Sequence, residues 1–144
     1  MKKFQFELEE ILNIRKFEQQ QAEIELGKAL ASENEIQSKL NALAMQQASV
    51  QKQMSGSTDF YDITNANQFY AFVRNQSECL LNELAKAKLI SDEKRRILKE
   101  AMQKVDSLEK LKEQQLEEYK VALIHEEDNE LDDIVTSRFN PNQQ

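Results

Sequence analysis

From Phe4 to Met54 apolar residues recur on an unbroken 4–3 spacing. The positions are Leu8, Leu12, Arg15, Gln19, Ala22, Leu26, Ala29, Glu33, Ile36, Leu40, Leu43, Gln47, Val50 and Met54. Most are apolar and the spacing never slips, which is the heptad signature of a helix that buries one narrow stripe. Phe4 and Ile11 flank the stripe near its start. The repeat ends at Ser55-Gly56-Ser57-Thr58-Asp59, a cluster of turn and capping residues. A second 4–3 repeat then runs through Ala66, Tyr70, Val73, Ser77, Leu80, Leu84, Ala87, Ser91, Lys94, Leu98, Ala101, Val105 and Leu108. Past Leu108 the phase shifts, and Leu111, Leu116 and Leu123 carry the stripe in place of Lys112, Gln115 and Ala122. Such a slip locally alters the winding and marks a change of partner.

These patterns predict an all-α chain, a long antiparallel two-helix coiled-coil hairpin whose second helix is the longer. The expected boundaries are helix 1 over 4–54, a connecting loop over 55–64, helix 2 over 65–136 and a tail over 137–144, all in one domain. Thr64 or Asn65 is the expected N-cap of the second helix, since a short polar side chain there accepts from an otherwise orphaned amide. In an antiparallel pair an a residue faces a d residue, and residue numbers summing to about 120 satisfy that rule along the whole seam. Leu40 then meets Leu80, Ile36 meets Leu84, Ala22 meets Leu98 and Leu12 meets Leu108, with Leu26 and Leu43 completing the seam. The middle is weak, since Glu33 meets Ala87, Ala29 meets Ser91 and Leu26 meets Lys94. This register predicts strong clasps at both ends and a thin waist. It also leaves the second helix overhanging past residue 120, with Leu123, Ile124, Leu131, Ile134 and Val135 in need of cover.

Composition sharpens this picture. With two Gly, one Pro and no Trp in 144 residues, the chain suits long helices with little core per residue. The net charge of −7 is concentrated at the C-terminal end. Glu126, Glu127, Asp128, Glu130, Asp132 and Asp133 set against Arg138 give −5 over residues 126–144. No basic face stands out, which argues against nucleic acid as a partner, and Lys94-Arg95-Arg96 reads as a solvated helix face. A single cysteine, Cys79, cannot form an internal disulfide and fits a reducing cytoplasm. The first residues lack the apolar run of a secretion signal, and no apolar run approaches the roughly 20 residues needed to span a bilayer.

The residues for chemistry are not arranged to do it. His125 has no spaced histidine or cysteine companion for zinc, and the acidic run lacks the glycine and flexible loop of a calcium site. Gly27 and Gly56 stand alone rather than in a phosphate-binding loop. No enzyme, cofactor, metal or small-molecule substrate is expected. What remains is surface, above all Phe69-Tyr70-Ala71-Phe72-Val73. Tyr70 and Val73 fall in the seam, while Phe69 and Phe72 fall outside it. Those two either fold back against Phe60, Tyr61 and Ile63 to close the loop, or form an exposed anchor for another protein.

Three stretches carry a family resemblance. They are Phe4-Gln5-Phe6-Glu7-Leu8-Glu9-Glu10-Ile11-Leu12-Asn13-Ile14-Arg15, the aromatic Phe69-Tyr70-Ala71-Phe72-Val73, and Glu127-Asp128-Asn129-Glu130-Leu131-Asp132-Asp133-Ile134. Their order, the chain length and the single mid-chain break resemble the flagellar export protein FliJ family, over nearly the whole sequence. The resemblance implies a non-enzymatic stalk of flagellar type III protein export. Such a stalk inserts the end bearing both termini into the hexameric export ATPase ring, touches the membrane protein of the export gate and helps recycle export chaperones. It implies a ring-facing set of Phe6, Leu8, Leu12, Arg15, Leu131 and Ile134. It also implies a gate-facing set of Phe69, Phe72, Val73 and Gln76, where a leucine is common at the last position in the family. The implied location is the cytoplasm, at the inner-membrane side of the export apparatus. Rival readings are the equivalent stalk of a non-flagellar injectisome, a free coiled-coil holdase chaperone, and a structural rod that dimerises through spare seam.

Overall fold

The computed structural model describes residues 2–138 and contains two helices, α1 (Glu9–Met54) and α2 (Phe60–Arg138), with no strand among the described residues. The second helix has 79 residues against 46 in the first, so at about 1.5 Å per residue α2 runs well beyond the length of α1. Together they form an antiparallel helical hairpin. Every position of the two 4–3 repeats, from Leu8 to Met54 and from Ala66 to Leu108, is buried or half-buried. Almost every other side chain of those stretches is exposed.

Three boundaries differ from expectation. The first is the N-terminal one, since α1 begins at Glu9 and not at Phe4. Residues 4 to 8 alternate half-buried Phe4, exposed Gln5, buried Phe6, exposed Glu7 and half-buried Leu8. That period of two fits no helix face; residues 2–6 lie outside regular structure, and Glu7 and Leu8 form a turn. The chain turns into the helix where Glu9 N donates to Phe6 O at 3.1 Å and Leu12 N to Leu8 O at 2.8 Å.

The second is the loop, which is shorter than expected because α2 begins at Phe60 and not near residue 65. Asp59 is the N-cap: its Oδ1 accepts from Tyr61 N at 3.0 Å, and its carbonyl accepts from Ile63 N at 3.0 Å. Thr64 is already inside the helix, its hydroxyl donating back to Phe60 O at 2.8 Å. On the α1 side Gly56 adopts φ 81°, the left-handed conformation that lets a chain leave a helix, while Ser57 N donates to Met54 O at 3.1 Å. The third is the end of α2, which continues to Arg138; the rest of the expected tail lies outside the described residues.

The described residues divide into two compact units, 2–19 with 101–138, and 20–100. In the terminal unit, Phe6, Leu12 and Val105 form a buried cluster with Phe4, Leu8, Leu108 and Leu111 packed on it. Two ion pairs cross it, Lys16 to Glu109 at 3.6 Å and Glu9 to Lys112 at 2.8 Å. Descending numbers on one strand of chain face ascending numbers on the other, which is the antiparallel register. Over residues 111–126 the cover is broad: Leu111, Lys112, Gln115, Leu116, Tyr119, Leu123 and Glu126 are all half-buried. The N-terminal segment contributes to that breadth, since Phe4 packs on the terminal cluster and on Tyr119, whose hydroxyl donates to Lys2 O. The expected change of stripe from Lys112, Gln115 and Ala122 to Leu111, Leu116 and Leu123 is therefore a widening, and of these six only Ala122 is exposed.

The unit of residues 20–100 buries Ala22, Ala66, Val73, Leu84, Ala87 and Ser91. Leu26, Ile36, Leu40, Leu43, Leu80 and Leu98 are half-buried around them, as is Leu108 in the terminal unit. Its middle is built from small side chains, and Ser91 is wholly inaccessible, with no hydrogen-bond partner for Oγ among the described residues. Beside it opens a groove of about 280 Å³ lined by Ala29, Ser32, Ile36, Glu83, Lys86, Ala87 and Ile90. The thin waist is real.

Candidate interaction surfaces

Large apolar side chains are exposed at many places along both helices, and two of these regions coincide with residues singled out by the sequence. The first is the far end of α2 in the terminal unit. From Glu127 to Arg138 every described side chain is exposed, including Leu131 at 60%, Ile134 at 51% and Val135 at 44%. Leu131, Ile134 and Val135 lie three and four residues apart, so they form one face of the helix. Asp128, Glu130 and Asp132 flank that face. An apolar strip rimmed by carboxylates suits a partner surface that is apolar at its centre and basic around it.

The ring-facing residues suggested by resemblance divide sharply in the structure. Leu131 and Ile134 are exposed, whereas Phe6 and Leu12 are 7% and 1% exposed inside the terminal cluster. Leu8 is half-buried against them. Arg15 is half-buried and pairs with Glu18 at 3.0 Å. Phe6 and Leu12 thus hold the end of the hairpin together and offer no surface to a partner. A second contact holds the N-terminal segment: Tyr119 donates its hydroxyl to Lys2 O at 2.6 Å, with its ring 5.7 Å from that of Phe4. A shallow depression of about 470 Å³ lies against Phe4–Glu10 and Lys112.

The second region is the start of α2. Phe60 and Tyr61 are 81% and 71% exposed, so the aromatics do not fold together to close the loop. The early helix start explains this, because it places Phe60 and Tyr61 on turns directed away from the seam. Phe72 is 53% exposed and Gln76 is exposed, while Phe69 is half-buried with its ring 6.4 Å from Tyr70. Val73, at 4%, belongs to the seam. Of the gate-facing set, therefore, Phe69, Phe72 and Gln76 share a surface and Val73 lies beneath it.

Charge along the outer faces is largely paired within single turns. Arg95 meets Asp92 at 3.0 Å, and Arg96 bridges Glu93 and Glu100. The hydrogen bond from Arg96 holds the Glu93 carboxyl below its usual range, and Glu93 with Glu100 pushes Arg96 upward. Among the described residues no cluster of three or more His, Cys, Asp or Glu side chains is placed to hold a metal ion. No described helix is long and apolar enough to cross a membrane.

Neither the curated proteins nor the solved structures contain a match to this chain. The family profile described as "Flagellar FliJ protein" matches residues 4–144, and so spans both helices, most of the N-terminal segment and the acidic end of α2. The chain belongs to the flagellar FliJ family.

Proposed function

We propose that the chain is a non-enzymatic stalk of flagellar type III protein export. It inserts the end carrying residues 2–19 and the far turns of α2 into the hexameric export ATPase ring, promotes assembly and activity of that ring, and links it to the export gate and the export chaperones. Its working location is the cytoplasmic face of the inner membrane, through the export apparatus and without a membrane span of its own. The observation that carries this reading is the uncovered strip of Leu131, Ile134 and Val135 within an acidic run. Twelve consecutive exposed residues on a helix, Glu127 to Arg138, have no fold-internal use for three large aliphatic side chains. Burying them against a ring lumen removes that apolar surface from water, and basic lumen groups would match the carboxylates.

In this reading Phe6 and Leu12 hold together the hairpin end from which the far turns of α2 continue, and Leu131 and Ile134 make the contact. Phe69, Phe72 and Gln76 supply the gate-facing surface. The test is to mix the purified chain with the export ATPase and follow hexamer formation and ATP hydrolysis together. Stimulation of both is expected; unchanged assembly and turnover would reject the stalk role.

A further inference from the structure

The unit of residues 20–100 carries a second stripe on α2, on the flank beside the seam, that no element of the hairpin covers. Phe72, Gln76, Cys79, Glu83, Lys86, Ile90, Glu93 and Ile97 recur at alternating intervals of four and three. They therefore lie on one face of the helix. All eight are exposed, with Phe72 at 53%, Ile90 at 54% and Ile97 at 38%. At the centre of the stripe, Glu83, Lys86 and Ile90 line the groove of about 280 Å³, whose other wall is Ala29, Ser32 and Ile36 of α1.

The positions along this stripe are symmetric about its midpoint, and the side chains are complementary across it. It reads apolar, amide, thiol, acid, base, apolar, acid, apolar. Laid antiparallel on a second copy about a two-fold axis between Glu83 and Lys86, each position meets a fitting one. Phe72 faces Ile97, Gln76 faces Glu93, Cys79 faces Ile90, and Glu83 faces Lys86, each pair occurring twice. An isologous interface requires this self-complementarity. The charges point the same way: Asp92, Glu93, Arg95, Arg96 and Glu100 are engaged within their own turns, whereas Glu83 and Lys86 form no ion pair among the described residues. The small Ala29 and Ser32 leave the groove open for the aliphatic stem of the opposing Lys86.

We infer that the stripe from Phe72 to Ile97 is a homodimer interface, in which the α2 helices of two copies pack antiparallel over the groove with reciprocal Glu83–Lys86 ion pairs. The inference does not depend on the stalk role, but it bears on it. A second copy seated here covers Phe72, so self-association and any docking through Phe72 exclude each other. One helix pair buries less than a standard interface, which puts the dimer in the weak, reversible class.

Sedimentation equilibrium on the full chain, from about 10 μM to about 1 mM, tests this. A reversible monomer–dimer equilibrium is expected. Glu83→Lys alone and Lys86→Glu alone each set like charges face to face twice, and each weakens the dimer about tenfold or more. The combined Glu83→Lys, Lys86→Glu chain exchanges the partners and restores the wild-type constant. A chain that stays monomeric at the highest concentration overturns the inference, even if Phe72→Ala abolishes binding to another protein. So does a double variant as weak as the singles. Mild oxidation of Ile90→Cys gives an independent reading. Cys79 and position 90 lie about 16 Å apart along one helix, too far to bridge within a chain. A covalent dimer forming faster than in the wild type, where Cys79 faces Ile90, supports the register; equal rates overturn it.

Discussion

The hydroxyl of Tyr119 donates to the backbone carbonyl of Lys2 at 2.6 Å, joining residues 117 positions apart in sequence. The ring of the same tyrosine packs on Phe4 at 5.7 Å. One side chain of α2 therefore holds the N-terminal segment by both a polar and an apolar contact. Tyr119→Phe keeps the ring and removes the hydrogen bond, and is expected to cost about 1 kcal/mol. Amide exchange over residues 3–8 should quicken while the centre of α2 is unchanged. Phe6→Ala goes further, because Phe6 is buried in the cluster with Leu12 and Val105. A loss of about 3 kcal/mol is expected, read as a lower midpoint of urea unfolding.

The two glycines should respond in opposite directions. Gly27 lies within α1, and a Cβ built there meets nothing within 4 Å. Gly27→Ala is expected to stabilise by about 0.5–1 kcal/mol, through better helix propensity and a less free unfolded chain. Gly56 also has open space around it, but its φ of 81° is one that L side chains rarely adopt. Gly56→Ala is expected to destabilise by about 1 kcal/mol despite the room. Thermal unfolding followed by circular dichroism separates the two cases by sign.

Ser91 tests the waist. It is wholly buried and its Oγ has no hydrogen-bond partner among the described residues. Desolvating an unpaired hydroxyl costs about 1–3 kcal/mol, so Ser91→Ala should leave stability unchanged or raise it by about 1 kcal/mol. Ser91→Leu should do the reverse, since overpacking among such small side chains costs about 1–3 kcal/mol. The midpoint of urea unfolding reads both.

How much of this was legible in the chain follows from how burial works. A helix with one partner buries one stripe, so the 4–3 repeat from Leu8 to Leu108 foretold which side chains are covered. The weak middle showed in advance in Ala29, Ala87 and Ser91. Phe4, Phe6 and Leu8 adjoin a helical repeat, so their spacing of two reads as its continuation. The contrary signal is Gln5 and Glu7, polar between three apolar residues, a spacing that no helix face carries. Asp59 was likewise visible as a capping residue, with Asp62 three positions on. Thr64 competed with it only because the loop looked longer than the turn at Gly56 makes it. The burial of Val73 could be read from its seam position, but the fate of Phe60 and Tyr61 could not. Their exposure depends on the helix phase that Asp59 sets.

The far end of α2 separates a contact role from a structural one. Leu131 and Ile134 are both exposed, at 60% and 51%, and neither belongs to the terminal cluster. Replacing both with serine should therefore shift unfolding by no more than about 0.5 kcal/mol, the usual range for surface positions. The same double change should abolish stimulation of the export ATPase if these side chains enter its ring, because truncating central apolar anchors removes most of an interface's binding energy. Leu12→Ala behaves differently. Leu12 is 1% exposed, so its loss should lower stability by about 3 kcal/mol and weaken stimulation only in proportion to unfolding. Measuring stability and ATPase stimulation on both variants decides the matter. If the serine pair leaves stimulation intact while Leu12→Ala removes it in fully folded protein, the contact lies on the α1 side and the exposed strip has another use.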